Sequence, residues 1–138
     1  MSAQLSTSPS PPTPLLRRTS TSSTSPIIYE VNLSVPAALA TGYADYLTEF
    51  TRGICSEVHG FTGVQIFTQP KPVGLHWLSE EGGAKAYFTV HYHVASQMDL
   101  DTYLATHQQR VSEADKERWQ HLVTSRRILR LFHSSIGE

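Results

Sequence analysis

The chain contains one cysteine, Cys55, which excludes an intrachain disulfide and any zinc site built on cysteine pairs. It lacks a charge excess: 11 Lys and Arg stand against 12 Asp and Glu, a formal net charge of −1 with seven histidines left to titrate. A dedicated nucleic-acid binder carries a basic excess or stripe, so no nucleic-acid partner is expected. No run approaches the roughly eighteen apolar residues that a membrane span needs, so no membrane partner is expected either. There is no P-loop, dinucleotide-binding glycine pattern, nucleophile elbow or His-Glu-x-x-His, and Gly82-Gly83 reads as a turn. What is present is 138 residues, 39% hydrophobic and 17% charged, enough for one domain with some unstructured chain.

That unstructured part is at the start. Residues 1–26 hold eight Ser, five Thr and five Pro, and the apolar pair Leu15-Leu16 buries too little surface to offset the entropy of ordering them. The segment is expected to be disordered. It has no acidic residue and carries Arg17 and Arg18, a composition shared with organelle transit peptides, although Pro9, Pro11, Pro12 and Pro14 oppose an amphipathic helix. A cytoplasmic protein with a loose extension is the first expectation, and a mitochondrial or plastid presequence the alternative.

From Ile27 the pattern changes. Ile27, Tyr29, Val31, Leu33 and Val35 alternate with Ile28, Glu30, Asn32 and Ser34, the period of a strand with one packed face. Pro36 suits the first turn of a helix, and Leu39, Tyr43, Tyr46, Leu47, Phe50, Ile54 and Val58 follow at helical steps until Gly60. Phe61 to Thr68 reads as a second strand, Gln69 to Gly83 as a long loop rich in Pro and Gly, and Ala84 to Val94 as a third strand. In that third strand Phe88, Val90, Tyr92 and Val94 share one face, and Tyr87, Thr89, His91 and His93 the other. Ser96-Gln97-Met98-Asp99 resembles a capping box, and Leu100, Tyr103, Leu104, His107, Val111 and Ala114 predict a second helix. Ser125 to Phe132 is the last strand. The order βαββαβ predicts an α+β, ferredoxin-like domain over residues 27–133, with a short tail at 134–138. A four-stranded antiparallel sheet has two helices on one face and leaves the other open.

Ile27-Ile28-Tyr29-Glu30-Val31, Gly60-Phe61-Thr62, Tyr87-Phe88-Thr89-Val90-His91-Tyr92 and Ser125-Arg126-Arg127-Ile128-Leu129, in that order, resemble the short bacterial proteins grouped as the DUF4286 domain family. The resemblance spans roughly residues 27–132. It implies a dimeric α+β barrel, in which two ferredoxin-like protomers join sheet face to sheet face, and it implies no chemistry, because the family is uncharacterised. The chain departs from the family where Thr51-Arg52-Gly53 stands in place of a common His-Ile-Pro, so no role of that histidine carries over. The Ser/Thr/Pro tail and the Pro-rich loop are further departures.

Five residues are candidates for the site. His91 and His93, two apart on a strand, project from one face as in some metal sites. Glu30 and Asn32 lie on the corresponding face of the neighbouring first strand, and Arg127 of the last strand can reach the same side. Together they make a ligand-binding open face, or else a polar network that satisfies itself across a half-buried dimer interface. No metal or cofactor is assigned. Arg126, Arg127 and Arg130 read either as an anion clamp or as the charge that protects an edge strand. His107 and Cys55 read as packed residues, and His59, His121 and His133 carry no specific signal. Trp77 in the loop reads as a lid over the open face or an interface anchor. The leading expectation is a homodimer that binds a small molecule or a partner through the open face. The alternative is a cofactor-free monooxygenase or isomerase of the barrel type with His91 or His93 as general base. Whether the protein is an enzyme is left open at this point.

Overall fold

In the computed structural model of the protein, residues 26–69 and 85–136 are described. The tail at 1–25, the loop at 70–84 with Trp77, and residues 137–138 lie outside them. The elements run β1 (Ile27–Pro36), a 3-10 turn (Ala37–Leu39), α1 (Ala40–Glu57), β2 (Phe61–Thr68) and β3 (Lys85–Val94). They continue with α2 (Gln97–Thr106), α3 (Gln108–Glu113), α4 (Lys116–Trp119) and β4 (Leu122–Arg130). The strands form one antiparallel sheet in the order β2-β3-β1-β4. This is the expected ferredoxin-like arrangement, with β1 and β3 side by side at the centre.

Strand alternation places the core. Ile27, Tyr29, Leu33 and Val35 of β1 and Phe88, Val90, Tyr92 and Val94 of β3 are buried beneath the helices. They meet Tyr43, Leu47 and Ile54 of α1 and Leu100 and Tyr103 of α2. Burying each such side chain contributes on the order of 1.5–3 kcal/mol. Aromatic rings make much of the contact: Phe61 lies 4.7 Å from Tyr103, and Tyr43 lies 5.7 Å from Trp119. Gly42 permits the second contact, since a Cβ there would stand 3.1 Å from the Trp119 ring. Ser96 caps α2, its Oγ accepting from the Asp99 N–H at 3.2 Å, as the capping-box pattern predicts.

Three expectations need correction. Pro36 ends β1 and precedes the 3-10 turn instead of opening the long helix. The second helix is three pieces, not one. The chain turns at His107, then takes left-handed backbone at Asp115 (φ 55°) and Gln120 (φ 56°) on either side of α4. Apolar spacing carries through the first break, and no glycine marks the others, so periodicity alone reads one helix. β4 starts at Leu122 instead of Ser125 and stops at Arg130 instead of Phe132. A register shift between Asn32 and Leu33 leaves Thr124 as the extra residue, its hydroxyl donating to the Asn32 carbonyl at 3.2 Å, and pairing resumes at Val123 and Leu122. Leu129 lies opposite Ile28 on the open face, whereas Leu131 has left the sheet.

Candidate functional site

The sheet has two surfaces with different chemistry. On the open face, register brings four of the five sequence candidates together: Glu30, Asn32, His91 and Arg127. Glu30 stands opposite His91 on one side and Arg127 on the other, and Gln65 stands opposite His91. The Glu30 carboxylate accepts from Arg127 Nε at 2.7 Å and from Asn32 Nδ2 at 2.9 Å, and its other oxygen is 2.8 Å from His91 Nε2. With these groups around it, Glu30 is only 4% exposed. Arg127 dominates the environment of the carboxylate and, with Asn32 and His91, outweighs burial, so its pKa falls from 4.5 to about 2. The same pairing raises the pKa of Arg127.

The network extends sideways. Asn32 Oδ1 accepts from Thr89 Oγ1 at 2.6 Å and from Gln69 Nε2 at 3.3 Å, while Asn32 Nδ2 also donates to Ser125 Oγ at 3.1 Å. His93 departs from the cluster: its Nε2 is 2.8 Å from Gln65 Oε1. Every named candidate is thus engaged by a neighbour in the same protomer. A carboxylate held this low is an acceptor already occupied by donors, a poor general base near neutral pH. Around this polar centre stand Phe67, 44% exposed, Tyr87, Leu129 and Ile28. Among the described residues, no group of three or more His, Cys, Asp or Glu is placed to hold a metal ion.

Among the described residues, the buried polar atoms without partners lie on the helix-covered side of the sheet. A cavity of about 40 Å³ lies between the sheet and the helices, lined among others by Tyr29, Tyr43, Tyr46, Tyr103, His121 and Arg126. At about 10–15 Å³ per water this holds some three waters, or a ligand group of similar size. The Tyr29 hydroxyl and His121 Nδ1 are buried, with no hydrogen-bond partner among the described residues. His121 Nε2 lies 3.2 Å from the Ser112 carbonyl. That contact requires a proton on Nε2, and in the neutral tautomer that carries it Nδ1 is an acceptor. Arg126 Nη2 donates to Ser112 Oγ at 2.7 Å. Burial pushes the Tyr29 hydroxyl pKa up, and the nearby guanidinium of Arg126, by its charge and its N–H groups, pulls it partly back. The Tyr29 hydroxyl, the Arg126 guanidinium and the His121 ring therefore line one largely apolar cavity. The sequence marks Tyr29 only as a core residue and His121 as an element end, because their meeting depends on the left-handed turn at Gln120.

Other sequence candidates resolve simply. Cys55 is half-buried and free, and burial raises its thiol pKa. His107 lies parallel to Tyr103 with ring centres 5.8 Å apart, a packed residue as expected. Arg126 and Arg130 point to the helix side of β4, and Arg127 to the open side.

No protein-family model matches the chain and no curated protein matches it, so the likeness to the DUF4286 family rests on its sequence fragments alone. Solved structures do match. One is a monooxygenase-like protein from Shewanella loihica, 15% identical, covering 80% of this chain and 97% of its own, with a TM-score of 0.52. A second is a variant of SnoaB, a cofactor-independent oxygenase from Streptomyces nogalater, 7% identical over 80% and 97%, also with a TM-score of 0.52. A third, of unknown function and from Nitrosomonas europaea, is 13% identical over 84% and 98%, with a TM-score of 0.51. At these identities the likeness establishes the fold: a ferredoxin-like α+β domain, of the kind that monooxygenase-like proteins use. No helix among the described residues is long and apolar enough to cross a membrane.

Proposed function

We propose that the protein is a homodimer whose open sheet faces meet, and that each protomer binds a small molecule in the cavity between sheet and helices. One observation carries the ligand reading: the Tyr29 hydroxyl and His121 Nδ1 are buried and unpaired beside a cavity. An unsatisfied buried polar group costs about 1–3 kcal/mol, and a ligand that pairs it recovers that cost. The complementary ligand is small, largely apolar, and presents one oxygen to Tyr29 and one hydrogen-bond donor to His121. An enol or phenol end has this character. The open face supports self-association, since its polar centre is satisfied internally and its margin of Phe67, Tyr87 and Leu129 is apolar. Exposed apolar patches of this kind mark interfaces, and a two-fold axis makes the patch its own partner.

A second, catalytic reading follows from the same groups. His121 Nδ1 can take a proton from the bound ligand, while Tyr29 and Arg126 stabilise the oxyanion that develops. This is cofactor-free chemistry of the kind named for SnoaB, with the base in the cavity in place of His91 or His93 on the open face.

The site is tested by screening small phenols and enols by thermal shift and then titrating the best hit against variants. Tyr29→Phe is expected to leave the ligand-free protein as stable as wild type, or slightly more so, while weakening binding about tenfold. Binding that survives Tyr29→Phe but is lost in His91→Phe or His93→Phe would place the ligand on the open face and overturn the cavity. For the dimer, Phe67→Asp is expected to shift sedimentation at micromolar concentration from dimer to monomer. A wild-type protein that is monomeric at high micromolar concentration sinks that reading.

A further inference from the structure

The cavity between sheet and helices has room for about 40 Å³. A cavity of about 150 Å³ is what a single benzene ring occupies, so a phenol or cyclic enol fits here only if a wall gives way. The walls are unequal. The sheet supplies Tyr29 and Tyr92, and the 18-residue α1 supplies Tyr43 and Leu47, all of them buried. The remaining wall is Gln108, Val111 and Ser112 of α3, with Ala114 just beyond. α3 has six residues, and none of them is fully buried.

The chain is anchored on both sides of α3. Before it, Tyr103 is buried and stacks on His107. After it, Trp119 of α4 is buried against Tyr43 and Tyr46, with ring centres 5.7 and 5.4 Å away. Helical backbone stops at both ends of α3, at His107 and again at Ala114–Asp115, where extended backbone passes directly into the left-handed region. A short segment between two such breaks, with little buried apolar surface, opens at a lower free-energy cost than the elements around it. Two hydrogen bonds tie α3 to the site, and both end on Ser112. Its Oγ accepts from Arg126 Nη2 at 2.7 Å, and its carbonyl accepts from His121 Nε2 at 3.2 Å.

We propose that α3 is the movable wall of the cavity and that Ser112 is its latch. A ring-sized ligand is accommodated when α3 turns outward between His107 and Asp115, and Arg126 leaves Ser112 for an oxygen of the ligand. Ser112 is then a positioning residue that sets which ligands enter. The proposal rests on the cavity reading above and adds what closes the cavity when it is empty. Closure and ligand binding compete for the same guanidinium, so the apparent affinity is reduced by the fraction of molecules that are open.

Ser112→Ala tests this, because it removes the Oγ contact and keeps the carbonyl one. Alanine is the better helix former, so a change in propensity would firm α3 and cannot imitate a lost latch. 4-Nitrophenol, titrated by its absorbance, is the probe. Ser112→Ala is expected to bind it about fivefold more tightly than wild type, the factor one hydrogen bond contributes, and Ser112→Thr, which keeps a hydroxyl, to match wild type. Hydrogen exchange of the ligand-free protein gives a reading that needs no ligand. The Val111 N–H bonds to the His107 carbonyl at 3.0 Å across the first break, and it should exchange about fivefold faster in Ser112→Ala. The Val58 N–H, bonded to Ile54 at the end of α1, should be unchanged. A residue that only lines the cavity would weaken binding when cut to alanine. Equal or weaker binding in Ser112→Ala therefore overturns the latch, and a tenfold loss in Tyr29→Phe beside it would leave the cavity reading standing. If none of these proteins binds the probe while Val111 exchange still responds to Ser112→Ala, the ligand reading falls and the movable wall stands. If Val111 exchange does not respond either, both fall.

Discussion

Gly60→Ala is expected to lower stability by about 3 kcal/mol, the largest loss from glycine-to-alanine exchange among the described glycines. Gly60 ends α1 with φ +88°, a backbone region that costs an L-residue roughly 1–2 kcal/mol. A Cβ built there overlaps both the carboxylate and the Cβ of Asp99. Asp99 is poorly placed to yield. Its N–H donates to Ser96 Oγ at 3.2 Å, and Ser96 Oγ donates back to Asp99 Oδ2 at 3.0 Å, so moving it opens the cap of α2. The Gly60 carbonyl also accepts from the Ala95 N–H at 2.8 Å. One residue thus ties the end of α1 to the ends of β3 and α2, and positions Phe61 against Tyr103, which lines the cavity. Urea unfolding provides the measurement. Adding Asp99→Ala to Gly60→Ala should recover only a minor part of the loss, since it removes the overlap with the carboxylate and leaves both the overlap with the Cβ at position 99 and the strained φ. A Gly60→Ala protein within about 0.5 kcal/mol of wild type would show that this junction relaxes freely.

The open face was legible in the sequence because strand alternation is strict. Glu30, Asn32, His91 and His93 follow from period two once β1 and β3 are adjacent, and the βαββαβ order makes them adjacent. Arg127 joined them because β4 pairs with β1 in a register that sets it opposite Glu30. The pattern gave no sign that the cluster would satisfy itself, since that depends on distances of 2.6–2.9 Å among side chains from three strands. The cavity was hidden for a different reason. Its polar groups come from β1, β4 and the turn before β4, and the breaks at His107, Asp115 and Gln120 that shape it occur without glycine or proline. Asp115 holds its unusual backbone with help from Tyr46, whose hydroxyl donates to Asp115 Oδ2 at 2.8 Å across 69 residues of sequence. Local propensity carries no information about such a contact.

Glu30→Gln is expected to remove a pH-dependent part of the stability without altering the fold. In the native protein the Glu30 pKa is about 2, depressed from 4.5 chiefly by Arg127. A depressed carboxylate pKa stabilises the folded state above the unfolded-state value, and the contribution disappears as pH falls through the folded-state value. Wild type should therefore lose stability relative to Glu30→Gln between pH 4.5 and about 2, and the difference should be constant above that window. The size is about 1–2 kcal/mol, less than a deeply enclosed ion pair would give. Glu30 has little exposed surface, but only one layer of side chains covers it, and the Arg127 side chain is 63% exposed, so water screens the pair. Glu30→Leu is a harsher change. It leaves His91 Nε2 and Arg127 Nε without their shared acceptor and Asn32 Nδ2 with Ser125 alone, and it should cost about 2–3 kcal/mol at neutral pH. If the open faces meet in the dimer, that loss deepens on dilution of Glu30→Leu no more than in wild type, because the network closes within one protomer. Unfolding curves for wild type and Glu30→Gln at matched protein concentration, taken every half unit from about pH 2 to 7, isolate Glu30 from the remaining carboxylates. Parallel pH profiles across the window would mean that Arg127, His91 and Asn32 do not hold the carboxylate as the 2.7, 2.8 and 2.9 Å contacts require.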